Sequence, residues 1–427
     1  MASSRGPFAA LRHPLYRRVW SANFVSTVGD WMQIIGRGAL VYELTGSASA
    51  LGFIYFVSYI PALVVMPFGG VFADRYDRRR TLLFGQVAQT ALAVLIGVLA
   101  GRGDATLANV AAVSLGAGLV QTLTMPAQMA LTPSLVPAAD LPSAMSLSIA
   151  TNNVARVLGP ALAGLTIAQL GVAWIFYVNA ATFVVVLLTW LVTHVPARVA
   201  IGEQTTWRAL GAGWRHVRHT PALLLPIVIV AVLSAIGLAY QTLGVAYTTE
   251  VLAGGDEALG NRYYGVFQSV IGLGGIAGIV GLTRSGRRRP AATLLGTAAG
   301  FGVSLVVLSA VRRPILAFAV CFVVGVFHFA NSNLVLTLVQ RGAPEAMRGR
   351  VMSILLVAWI GLFPLTSLGI GGLADAIGIR AVIGWSGAIC FLAAVLAIRW
   401  SHVVGEADDA PAPHPASTPL TVASEEA

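Results

Sequence analysis

Two ionisable residues lie deep inside apolar sequence, and their spacing limits the chemistry they can do. Asp30, in STVGDWMQ, falls twelve residues after Arg18 and thirteen before Glu43. At about 1.5 Å per helical residue that is roughly 18–20 Å from either flank. Arg156, in NNVARVLGPALAG, is similarly central in its own apolar run. A charge at such depth in hydrocarbon is costly unless it is paired or faces water, so each is a candidate functional residue. One reading makes Asp30 a coupling carboxylate, loading a proton in one conformer and releasing it in another as its pairing changes. The other makes Asp30 and Arg156 a static ion pair that fixes helix one against helix five. Arg37, two turns beyond Asp30 on the same face, is a third candidate, with a stem long enough to snorkel outward.

Other chemistries are excluded by what is missing. All 27 basic residues are arginine. Without lysine there is no phosphate-loop lysine, Schiff base or pyridoxal anchor, so no cofactor is expected and an ATP-driven pump is disfavoured. Cys321 and Cys390 both lie in apolar runs, which leaves neither a disulfide framework nor a metal cluster. No His-Glu-x-x-His, Gly-x-Ser-x-Gly or paired mid-membrane carboxylates occur, so the chain does not read as an enzyme.

The elements that must position these charges are membrane helices. Of 427 residues, 57% are hydrophobic and 10% charged, enough for a dozen spans of roughly 20 residues. Spans are expected near 19–42, 48–73, 81–100, 106–129, 143–170, 172–194, 222–249, 261–283, 291–311, 314–339, 350–374 and 378–400. The fold class is therefore an all-α polytopic membrane protein, with twelve helices in two six-helix halves at 19–194 and 222–400. A net charge of +10 would suggest nucleic acid in a soluble protein; here it sets topology. With a cytoplasmic amino terminus, 20 arginines fall on the cytoplasmic side, 5 outside and 2 within helices, which places both termini in the cytoplasm of a cell-membrane protein.

Segment 1–18 has no apolar stretch of its own, so no cleavable signal is expected. The linker 195–221 carries Trp207, Leu210, Trp214 and Val217 at helical spacing among arginines, and reads as an amphipathic helix lying on the bilayer surface. The Pro, Ala and acid-rich tail 401–427 reads as disordered. A shift of 207 residues lays Gly118 on Gly325, Pro137 on Pro344, Met145 on Met352, Gly164 on Gly371 and Gly171 on Gly378, which suggests a duplicated half. Parallel repeats with a site between them at mid-depth are a transporter architecture.

After the second span comes GGVFADRYDRRR. Gly70, Asp74, Arg75, Arg78 and Arg79 match the loop signature of the major facilitator superfamily, and Asp77 replaces its second glycine. The chain resembles the third drug:proton antiporter group of that superfamily over nearly its whole length, from PLYRRVWSANFVSTVGDWM and YELTGSASALG to RGRVMS and GGLADAIG. That group includes macrolide efflux proteins, multidrug exporters and enterobactin-type siderophore exporters. The resemblance implies a gate latch built from Gly70, Asp74, Arg75, Asp77, Arg78 and Arg79, with Asp74 facing the start of the eleventh helix near Gly349 to Ser353. The second-half loop RSGRRRP lacks the acid, so the latch is expected to be asymmetric. NNVARVLGPALAG resembles the antiporter-type motif through Gly159, Pro160 and Gly164, with Ala155 and Ala163 in place of two glycines. That pattern favours efflux, with helix packing as its plain alternative.

The same resemblance implies that helices 1, 4, 7 and 10 line a central cavity. Their polar residues are Gln33, Gln121, Thr124, Gln128, Tyr240, Gln241, Tyr247, His328, Asn331 and Asn333. Such a lining suits an amphipathic organic ligand that needs few oriented hydrogen bonds, and interhelical bonding is the alternative for each. The expected partners are a small amphipathic substrate, protons and the lipid bilayer, for a monomer with no nucleic acid. The function expected is secondary active export of drug, macrolide or siderophore-class molecules; a proton-independent facilitator or lipid-moving protein is the alternative.

Overall fold

The computed structural model describes residues 6, 8–65, 77–193 and 207–400. Gly70, Asp74 and Arg75 of the expected latch, and the tail 401–427, lie outside the described residues. Helices dominate and no strand occurs among the described residues. In chain order they are α1 (Pro14–Thr45), α2 (Ala48–Val65), α3 (Arg78–Arg102), α4 (Leu107–Leu131), α5 (Leu141–Leu170) and α6 (Ala173–Val192). The linker helix (Trp207–His219) follows. Then come α7 (221–252), α8 (Glu257–Arg288), α9 (Pro290–Ala310), α10 (Pro314–Gly342), α11 (Arg348–Ile377) and α12 (Ile379–Trp400).

Ten of these are long and apolar enough to cross a membrane. The other two long helices, α1 and α5, run 32 and 30 residues. They are less apolar because they carry the interior charges, Asp30 and Arg37 in one and Arg156 beside two asparagines in the other.

The duplication suggested by the 207-residue shift recurs in backbone geometry. Gly171 and Gly378 end α5 and α11 with φ of 88° and 90°, a conformation that glycine adopts without a β-carbon penalty. Pro137 and Pro344 each open a single tight turn that leads into α5 or α11, with φ of −61° and −54°. Packing repeats as well. A β-carbon on Gly118 of α4 would overlap the Ser58 carbonyl of α2, and one on Gly325 of α10 would overlap the Ile271 carbonyl of α8. Small residues at equivalent depths let equivalent helix pairs approach closely.

Within the first six helices, α1 packs on α5 and α6, and α3 on α4 and α6; in the last six, α8 packs on α10 and α9 on α12. The two groups meet along α2 with α11 and α5 with α8. α7 is broken by π-turns at Leu233–Gly237 and Tyr247–Leu252, and α11 by one at Val357–Gly361, features that often mark functional segments.

The linker helix lies across the beginning of α11, where Gly213 faces Arg350 and Ile354. Val217 is buried against the protein while Trp214 stays exposed. The expectation of a helix resting on a lipid surface through both residues is corrected for Val217, whose apolar side chain is covered by protein. Below, the end of the bundle that bears this helix is the linker end, and the opposite end is the distal end.

Candidate functional site

Asp30 and Arg156 occupy the middle of the bundle and do not pair with each other. The Asp30 carboxylate is hydrogen-bonded by Asn179 of α6, whose amide also donates to the Gln33 side chain at 2.6 Å. Thr182 donates to Asn179 Oδ1 at 2.9 Å. This approach depends on Gly29, where a β-carbon would collide with Asn179 and Thr182. Buried polar groups in hydrocarbon must find partners, and α6 supplies them here.

Arg156 instead lies over two rings, 4.2 Å from the Phe329 centroid and 5.1 Å from that of Trp31. Its Nε is buried with no hydrogen-bond partner. The charge-pair reading of Asp30 and Arg156 is therefore corrected: each charge is held by its own neighbours, an amide for the acid and aromatic faces for the cation. Gly159 explains the placement of the guanidinium, since a β-carbon there would overlap Trp31 and α5 could not press on α1.

Beside Arg156, the His328 ring sits between Tyr240 and Phe301 at 6.3 and 5.3 Å, with Phe329 edge-on at 4.7 Å. His328 is only 7% exposed, and its Nδ1 has no partner. Toward the distal end, Tyr55 and Tyr59 stack and meet Phe363 of α11 edge-on. The Tyr55 hydroxyl donates to the Gln241 carbonyl at 3.4 Å. Arg37 stands near Tyr55 and Tyr264, so these rings and Arg37 form a layer distal to Arg156.

The expected cavity set divides. Tyr240 and His328 meet beside Arg156, while Gln33 accepts from Asn179 of α6. Thr124 packs on Gly85 of α3 and gives its hydroxyl to the Val120 carbonyl of its own helix. Tyr247 is fully buried and donates to the carbonyls of Leu308 and Val311, both at 3.0 Å. Asn331, also fully buried, donates to Leu294 and Thr297 of α9 at 2.9 Å. These three are corrected from cavity lining to helix packing, because carbonyls or hydroxyls of the same or neighbouring helices consume their donors. Gln121, Gln128 and Asn333 are exposed, and Gln241 is half-buried.

The described part of the latch is Asp77, Arg78 and Arg79. Asp77 caps α3, accepting from the Arg80 amide at 2.7 Å. Arg79 donates to the Trp190 and Leu191 carbonyls at the end of α6, at 3.1 and 2.8 Å. Both are spent within the first six helices: a carboxylate suits a helix amino end, and a guanidinium suits a carboxyl end. Arg78 is half-buried. In the antiporter-type motif, Gly159 packs on α1, while the Pro160 carbonyl and Gly164 face Gly265 of α8.

Two distal contacts went unnoticed in the sequence. Asp375, near the end of α11, accepts from the Ser47 and Ser49 hydroxyls and from the Ala48 and Ser49 amides, capping α2 across the two halves. Tyr42 of α1 donates to Glu250 of α7. The only sequence signal for the first was an acid in GGLADAIG and a Ser-Ala-Ser helix start.

Known proteins complete the picture. The family model described as transmembrane secretion effector matches residues 5–425. The multidrug efflux pump Tap of Mycolicibacterium fortuitum is 26% identical over 380 residues, spanning 87% of this chain and 91% of that protein. The enterobactin exporter EntS of Salmonella typhimurium is 26% identical over 350 residues, spanning 79% and 80%. The staphyloferrin A transporter of Staphylococcus aureus is 23% identical over 367 residues, spanning 84% and 89%. Among solved structures, a bacterial homologue of the iron transporter ferroportin in an inward-facing state aligns with a TM-score of 0.72 at 18% identity, covering 91% of this chain and 98% of that one. With the family matched over nearly every residue and the same helical fold in solved transporters, the chain belongs to the transmembrane secretion effector family of the major facilitator superfamily.

Proposed function

We propose that this protein is a secondary active exporter of small amphipathic organic molecules, working by alternating access and driven by proton antiport. The linker end is the cytoplasmic one, as the arginine distribution requires. The observation that carries the reading is the asymmetry of closure around Asp30 and Arg156. Every described hydrogen bond between the halves lies at mid-depth or distally, as in Tyr42–Glu250, Asp375–Ala48, Ser367–Gly52, Tyr55–Gln241 and Ser269–Val157. The buried core divides in the same way. One apolar cluster joins both halves distally, while the linker ends of α1, α3, α4, α5 and α6 keep a separate cluster around Tyr16, Leu131 and Trp190. In this reading the described contacts hold the halves together at mid-depth and distally, the side opposite the cytoplasm, which suits a state that loads from the cytoplasm.

Asp30 is the coupling group in this reading: it lies on α1, whose Gly38 and Tyr42 touch the second half, so a rocking motion that shifts α1 changes its surroundings. The exporters among its relatives support the direction of transport. The test is accumulation of a panel of fluorescent drugs and macrolides in cells with and without the protein, repeated with a protonophore. Lower accumulation that is lost with the protonophore and in Asp30→Asn is the expected result. Equal accumulation in both strains sinks export; export that survives the protonophore leaves a facilitator of the same fold.

A further inference from the structure

We infer that Arg156, flanked by Trp31, Phe329 and His328, is an anion subsite that takes a carboxylate or similar bidentate oxyanion borne on an aromatic or conjugated ring. The inference rests on the export reading and names its substrate class.

A guanidinium carries N–H donors in a rigid fork that matches a two-oxygen anion. Aromatic faces stabilise its charge but provide no lone pairs. Arg156 has such faces from Trp31 and Phe329, yet its buried Nε lacks an acceptor. No carboxylate lies within ion-pair distance of it among the described residues. Asp30, the one acid at this depth, is bonded to Asn179.

His328 supplies a second unmatched polar atom. The residue is nine-tenths buried, contacts Phe329 and leaves Nδ1 without a partner. The elements around Arg156 present Trp31 from α1, Gly272 from α8, Tyr240 from α7, and His328 and Phe329 from α10. Every one of these is aromatic or neutral. A buried cation whose Nε makes no hydrogen bond, walled by rings, is complementary to a planar group that carries its negative charge at one edge.

The test measures binding to the full-length protein in lipid nanodiscs of three isosteric probes: 1-naphthoate, neutral 1-naphthamide and cationic 1-naphthylmethylammonium. Naphthoate is expected to bind at least tenfold tighter than the amide, with the cation weakest. Arg156→Gln should bring naphthoate and amide within about twofold of each other, and Arg156→Lys should keep part of the preference. Phe329→Leu should weaken both probes alike without changing their ratio, which also covers the case of an Arg156→Gln protein that fails to fold. Absent naphthoate binding, an amide or cation bound as tightly as naphthoate, or a preference that survives Arg156→Gln overturns the inference. A cation preference in a protein that still exports removes the anion subsite alone, whereas loss of export for every probe class removes the reading beneath it.

Discussion

At the distal end, α2 and α11 touch through Gly52 and Gly371, and the Asp375 carboxylate caps α2. At the linker end, α1, α3, α4, α5 and α6 close on their own apolar core, and His13 meets Asp140 at 2.8 Å inside the same half. The contrast lies in what each contact must survive. Under the proposed alternating access, contacts within a half persist, and apolar burial suits them. Under the same proposal, contacts between halves would have to form and break, and beside the shared apolar cluster they include close approaches at glycines and a few hydrogen bonds, each modest in energy. Arg79 and Asp77 show the same division, since both are committed within one half.

The contrast can be broken most forcefully at Gly371. Its missing β-carbon faces the Ala48 carbonyl and Ser49, so Gly371→Leu should wedge the distal seam apart. Overpacking costs about 1–3 kcal/mol, and at about 1.4 kcal/mol per tenfold that moves the closed-to-open ratio roughly five- to a hundredfold. Spin-label distances across the distal end check this, and efflux should fall about tenfold. Cys321 and Cys390 are fully buried, so labels at engineered exposed cysteines meet little background.

A smaller effect is expected from Asp375→Ala. Losing a helix cap costs about 1 kcal/mol, and exposure screens the charge, so the ratio should shift about three- to fivefold by the same distance measurement. Asp375→Asn should fall between Asp375→Ala and wild type. Tyr42→Phe removes one bond to the exposed Glu250 and should shift the ratio only about twofold. An Asp375→Ala protein that leaves the distal distances unchanged would show that the cap does not hold the seam. Smallest of all should be the effect of Tyr247→Phe on this ratio, because its hydroxyl bonds α9 within one half. That variant should instead lower the thermal midpoint by a few degrees, read by differential scanning fluorimetry. A shift in the spin-label distances would move Tyr247 into the gate.

Helix positions, the internal repeat and the depth of Asp30 and Arg156 were legible in the sequence because each depends on local composition or on spacing along one helix. Gly171 and Gly378 illustrate this, since a positive φ at a helix end is a demand of the backbone alone. The partners of the buried charges were not legible. Asn179 reaches Asp30 only because Gly29 lets α6 approach, and Phe329 of α10 meets Arg156 of α5 across the two halves. Thr124, Tyr247 and Asn331 misled for the same reason: polarity in an apolar helix shows that a partner is needed, but does not say whether that partner is a ligand or a neighbouring carbonyl.

By itself, then, the sequence determined a helical membrane transporter with a duplicated plan and interior charges on its first and fifth helices, because hydrophobic length, arginine placement and motif spacing are properties of the chain. The tertiary structure alone decided that Asp30 and Arg156 stand apart, that Asp375 caps α2, and that the described hydrogen bonds between the halves lie at mid-depth and distally. Those outcomes depend on which helix faces meet, and a helix does not carry that information until its neighbours pack against it.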